Sequence, residues 1–175
     1  MIEARIAKLL MIACLAAFAA LVTFNNLADY GANFEFVRHV LSMDTTFPEN
    51  GLLYRGVTNP ALWNAAYCLI IFAEGLTALG FAVAAAALLR ELRADALGFN
   101  RAKRFTFVAA GLGFVVWFFG FIVIGGEWFL MWQSHSWNGQ EAAFRFYLTI
   151  LAVLIFVGQK DDDLMPGKRE RAWTK

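Results

Sequence analysis

The chain holds only two cysteines, Cys14 and Cys68, far apart in apolar runs and without CxxC spacing. That excludes a disulfide framework and leaves both thiols as small packing residues. Net charge is also missing: +1 over 175 residues offers a polyanion no handle, which argues against a nucleic-acid partner. Catalytic signatures are absent as well. Ser134, His135 and Glu141 lie close together, yet there is no nucleophile elbow, no HExxH, no P-loop and no dinucleotide fingerprint. No internal repeat is visible.

What the chain does have is apolar surface. Its hydrophobic share of 60% and mean hydropathy of +0.56 exceed the roughly 45–50% apolar content of soluble domains. So short a chain cannot hide that much from water by its own fold, so a bilayer must take part of it. Length suits a single domain. The apolar runs predict helices over about 6–25, 63–89, 105–130 and 142–158. The first also reads as a signal peptide, with Arg5 and Lys8 ahead of an apolar core and Ala-Phe-Ala beyond it; we read it as a retained helix. The fourth is shorter than the about 20 residues a span needs, so it must borrow its flanks or tilt.

Charge sets the expected orientation. Arg5 and Lys8, five basic residues in Arg90–Arg104 and five after Val157 make twelve of fifteen on one side, against Arg38, Arg55 and Arg145. The positive-inside rule then puts both termini and the middle loop in the cytoplasm of a multi-pass bacterial inner-membrane protein. The fold class expected is all-α, an antiparallel four-helix membrane bundle with structured outer loops over 26–62 and 125–141 and a charged cytoplasmic tail over 159–175. That tail, with Asp161-Asp162-Asp163, reads as a mobile solvated end. The basic middle loop serves topology, or else holds anionic lipid. Gly75, Gly80, Gly111, Gly113 and Gly120 would let helix backbones approach.

The outer loops carry the unusual chemistry. Phe34, Val37, Val40 and Leu41 follow helical spacing, so Asn33–Met43 is expected as an amphipathic helix on the membrane surface or over the bundle mouth. Gly125–Gln140 packs three of six tryptophans, Trp128, Trp132 and Trp137, among a carboxylate, amides and a histidine. An aromatic belt at headgroup level accounts for these and for Trp63; a stacking pocket with Asn138 is the alternative. Glu127 and Arg145 are expected to face each other in a salt bridge that holds this loop shut. Asn25, Asn26, Asp29 and Asn33 are expected to hydrogen-bond into it.

Glu74 is the sharpest single residue. It lies eleven residues past Trp63, about 16 Å of helical rise and so near mid-membrane. A charge there costs about 3 kcal/mol on insertion scales. Either the carboxyl is protonated or it pairs with a donor on a neighbouring helix, and Tyr67 and Thr77 lie near it on its own. It is a candidate proton relay, ion site or ligand anchor, or an interhelical glue. His39-x-x-x-Met43 and Met131-x-x-x-His135 each place a thioether and the protein's only imidazoles at helical spacing. Together they would suit Cu(I), an outer-face metal or redox site; no other cofactor is indicated.

With these residues in view, the chain resembles the bacterial family of predicted small integral membrane proteins, domain of unknown function 2165. The matching stretches are Asn25-Asn26, Asp29-Tyr30 and Asn33, then Phe36 to Thr45, Tyr67 with Glu74, Gly125 to Phe129, Met131 to Ser134, Trp137 to Gln140, and Phe144-Arg145. The resemblance implies a four-span inner-membrane protein and supplies no catalytic residue. The expectation is a non-enzymatic accessory subunit that meets the lipid bilayer and another membrane protein or complex. The alternatives are a small transporter or ligand-binding protein centred on Glu74, and the outer metal or redox site.

Overall fold

A computed structural model describes residues 2–164, and among these it is all-helical. Four helical stretches are long and apolar enough to cross a membrane: Ile2–Ala28, Pro60–Arg90, Ala96–Trp128 and Gln140–Gly158. Within their most apolar windows only 22%, 28%, 28% and 17% of residues are buried, so most apolar side chains face outward. A bilayer, not a core, satisfies them.

Helix α1 (Ile2–Ala28) and α3 (Pro60–Arg90) form the principal pair. Asn59 caps α3 by accepting from the Ala61 amide, with Pro60 in the first turn, where its missing N–H costs nothing. A short helix, α4 (Ala96–Ala102), is capped by Asp95 on the Gly98 amide and feeds α5 (Arg104–Phe114). The chain continues as a π-helical segment over Val115–Trp128, closed by the Phe129 amide on the Ile124 carbonyl. The last span, α6 (Gln140–Gly158), gains Gln140 and Glu141 over the expected start; its 19 residues reach nearly the bilayer's hydrocarbon width of about 30 Å.

The core is a spine of Ile12, Ala19, Phe81, Ala84, Leu88, Trp117, Ile150 and Val157. Two glycines admit close packing here. A Cβ on Gly80 would lie 3.1 Å from Ala109 Cβ, and one on Gly113 2.8 Å from Ile150 Cδ1. Gly111, expected to serve the same purpose, has nothing within 4 Å.

At one end, the basic end, four charged groups are buried together. Lys8 Nζ donates to Asp161 Oδ2 at 2.6 Å and to the Gln159 carbonyl at 2.8 Å. Lys103 Nζ donates to the same carboxylate oxygen and to the same carbonyl. Arg5 donates to the carbonyls of Leu92, Ala94 and Asp162, and its guanidinium lies 4.6 Å from the Phe99 ring centre. Asp163 accepts from the Ala96 amide. Asp161 of the expected solvated tail is thus buried, with the Gln159 and Asp162 carbonyls turned to the same cations, because three cations in an apolar setting demand an anion and carbonyls. The rest of that tail, 165–175, lies outside the described residues.

At the opposite, aromatic end, α2 (Tyr30–Ser42) forms the expected amphipathic helix, starting earlier than Asn33. It ends at Met43 with φ 55°, and Leu130, after the π-helical segment, has φ 54°. Left-handed backbone is uncommon outside glycine. Both residues are buried in one cluster with Phe129, which holds the two loops against each other.

Candidate functional site

Between α1 and α3 a set of polar groups meets at Glu74. Its carboxyl is 2% exposed on α3 and faces α1, where Asn26 Nδ2 donates to its Oε2 at 2.6 Å. Asn26 Oδ1 in turn accepts from Asn33 Nδ2 at 2.7 Å, and Asn33, on α2, is exposed. Tyr67 OH donates to the Asn26 carbonyl at 3.2 Å. A chain of amides therefore leads from the aromatic surface to a carboxyl inside the bundle. Tyr30 and Phe34 pack their rings on Tyr67 and wall this chain from the side. Tyr30 OH bonds Asn64 Oδ1 at 3.0 Å; burial, then its contact with Cys68, pushes that phenol above its ordinary value.

Below Glu74 the polar chain stops among the described residues. Thr77 Oγ1 donates to the Ala73 carbonyl of its own helix. The next buried positions, Phe81, Ala84 and Leu88 with Ile12 across on α1, are apolar. Glu74 thus has polar continuity toward one end only.

Glu74's donor does come from a neighbouring helix. It is Asn26, while Tyr67 joins through the Asn26 backbone and Thr77 does not take part. Asn26 and Asn33 were expected to bond into the Trp-rich loop; in the structure they serve Glu74 instead. They lie seven residues apart at the α1–α2 junction, on one face of a nearly continuous helix.

The Trp-rich loop is closed by other groups. Thr45 Oγ1 donates to Ser134 Oγ at 2.9 Å. Gln133 Oε1 accepts from the Phe47 amide at 3.1 Å and from Asn50 Nδ2 at 3.2 Å. His39 stacks on Trp137 with ring centres 4.6 Å apart. The expected Glu127–Arg145 bridge is absent among the described residues: Glu127 is exposed and Arg145 pairs with Glu141. The helix starting at Gln140 sets Glu141 one turn before Arg145, a nearer carboxylate than any across the loop. Asn138 Oδ1 accepts from the Gln140 amide, a local turn bond. Trp128 and Trp132 are exposed; Trp132 meets Phe47 edge-on, and Arg55 lies over Trp128.

The four soft-metal candidates are placed as follows. His39 Nδ1 faces Asp44 Oδ1 at 2.8 Å and its Nε2 meets Arg38 at 2.8 Å, which assigns the ring proton to Nδ1. Met43 and Met131 are buried, with the Met131 sulfur accepting from the Gly139 amide, and His135 is exposed. Among the described residues no group of three or more His, Cys, Asp or Glu could hold a metal ion.

Compared with known proteins, residues 4–160 match the model of a family described as predicted small integral membrane protein, domain of unknown function 2165. No curated protein and no solved structure matches the chain.

Proposed function

This chain belongs to the family of predicted small integral membrane proteins, and from that premise we propose that it is a non-enzymatic binding protein whose Glu74 takes a proton or a small cationic ligand. In this reading it lies in the bacterial inner membrane, with the aromatic end outward and the basic end in the cytoplasm. One observation carries it: a carboxyl buried between spans is joined by Asn26 and Asn33 to the aromatic surface and is sealed below by Phe81, Leu88 and Ile12. An ionisable group inside a membrane is costly, and such groups mark binding and proton-relay sites. One-sided continuity suits exchange with one compartment rather than conduction across the bilayer.

A membrane-soluble carbodiimide, which reacts with protonated carboxyls, tests this in proteoliposomes. Glu74 should be modified, and the rate should fall as pH rises on the aromatic side alone. Asn33→Leu should slow the response, and Glu74→Gln, which still accepts from Asn26, should fold and remain unlabelled. A rate set by pH on the basic side sinks the proposal.

A second reading, an accessory subunit docked on a larger membrane complex, draws support from the exposed Phe47, Tyr54, Trp128 and Trp132 at the aromatic end. Purification from native membranes in mild detergent should then recover a stoichiometric partner; repeated recovery of the chain alone counts against it.

A further inference from the structure

An apolar cavity of about 400 Å³ opens between α2, α3 and the π-helical segment. Val37 and Leu41 of α2 roof it, Ile70 and Ala73 of α3 form one wall, and Phe119 and Ile124 the other. Its volume falls within the about 300–1,000 Å³ range of small-molecule sites, but its lining presents no side chain that could orient a polar ligand. Apolar cavities hold no water, and in a bilayer the species at hand to fill one is hydrocarbon.

Arg55 lies close to this lining. Arg55 lies two residues before Val57, whose amide donates to the carbonyl of the roof residue Leu41 at 2.7 Å. Its Nη1 donates to the carbonyl of Trp128, next to the lining residue Phe129, at 3.4 Å. The guanidinium lies 4.6 Å from the Trp128 ring centre and 5.9 Å from that of Tyr54, while its buried Nε has no hydrogen-bond partner. At this end Arg38 pairs with Glu35 and Arg145 with Glu141; among the described residues Arg55 pairs with no carboxylate. Guanidinium is weakly hydrated, stacks on aromatic rings and matches phosphate oxygens through two parallel N–H bonds.

We propose that this cavity holds one acyl chain of an anionic phospholipid, with the lipid phosphate on Arg55 at the aromatic rim. An acyl chain matches the wholly apolar lining, and a phosphate matches a guanidinium that pairs with no carboxylate among the described residues. Glu74, Asn26 and Asn33 are not among the residues that line the cavity.

The full chain, purified in mild detergent and titrated with dioleoyl phosphatidylglycerol under native mass spectrometry, tests the proposal. One tightly retained lipid per chain is expected, with dioleoyl phosphatidylcholine held about tenfold more weakly, a 1.4 kcal/mol preference. Arg55→Gln should weaken phosphatidylglycerol by about the same factor, and Arg55→Lys should restore part of it. Ala73→Phe should abolish retention by filling the cavity; should that variant not fold, Ala66→Leu, also in the lining, should weaken it. Glu74→Gln should retain lipid as the unaltered chain does. Equal retention of the two lipids, binding unaltered by Arg55→Gln or by the cavity-filling change, or full displacement by inorganic phosphate overturns the proposal.

Discussion

Asp161→Asn is the most informative stability test, because it keeps the side chain's size and removes its charge. In the structure Asp161 is 8% exposed and faces Lys8 and Lys103, themselves 2% and 3% exposed. A solvent-exposed ion pair is worth about 0–1 kcal/mol. Removing one partner of a buried pair costs about 3–5 kcal/mol, because the remaining charge is stranded. Burial this deep selects the second figure. At about 2–4 °C per kcal/mol for a chain of this length, the Tm of the detergent-solubilised protein should fall by roughly 6–20 °C. Coupling should be visible too: Asp161→Asn combined with Lys8→Gln should cost less than the sum of the two changes. The pH dependence has a definite sign. Burial alone would push the Asp161 carboxyl up, but hydrogen bonds from Lys103 and Lys8, with their charges, outweigh it and hold it below its ordinary value. A carboxyl lowered on folding contributes stability that is complete above its unfolded value of about 3.9 and is lost as pH falls through the folded value. The Tm gap between unaltered chain and variant should therefore be level from about pH 8 to about pH 5 and narrow below about pH 4. A variant that melts with the unaltered protein, or a gap that persists in acid, refutes the reasoning.

Two further tests probe the packing and the cap. Gly113→Ala puts a methyl 2.8 Å from Ile150 Cδ1 and 3.3 Å from Thr77 Cγ2 and Trp117 Cζ3; overpacking of this kind costs about 1–3 kcal/mol. Gly111→Ala, with nothing within 4 Å, should leave the Tm unchanged or raise it, and equal losses in the two variants would dismiss the packing account. Gln133→Ala removes the acceptor for the Phe47 amide, so hydrogen exchange there should speed up by about 2- to 10-fold, the equivalent of one net hydrogen bond. Unaltered exchange at Phe47 would mean that Gln133 does not join the loops.

Much of the fold was legible in the residues. Four apolar runs announce four spans because lipid can solvate each along its length, the fourth only with the polar flank Gln140-Glu141 added, and the spacing of Phe34, Val37, Val40 and Leu41 announces α2. The site was legible only as a position. Glu74 stands out as a carboxylate in an apolar run, but its partner Asn26 lies 48 residues away, and the nearer candidates on its own helix misled: Thr77 prefers its own helix's carbonyl. The Glu127–Arg145 pairing failed for a similar local reason, since Glu141 reaches Arg145 first. The tail misled because Asp161 reads as one charge in an acidic run, and only the convergence of Arg5, Lys8 and Lys103 makes it necessary inside.

The sequence by itself determined that this polypeptide is solvated by a bilayer, because hydropathy is a sum over residues and needs no knowledge of neighbours. The tertiary structure alone decided which polar groups meet. In a membrane interior an unpaired polar group is costly, and the partner is whichever side chain or carbonyl the helix packing brings within about 3 Å. That rule joined Glu74 to Asn26 and buried Asp161 beneath two lysines, and among the described residues it set Arg55 over Trp128 with no carboxylate partner.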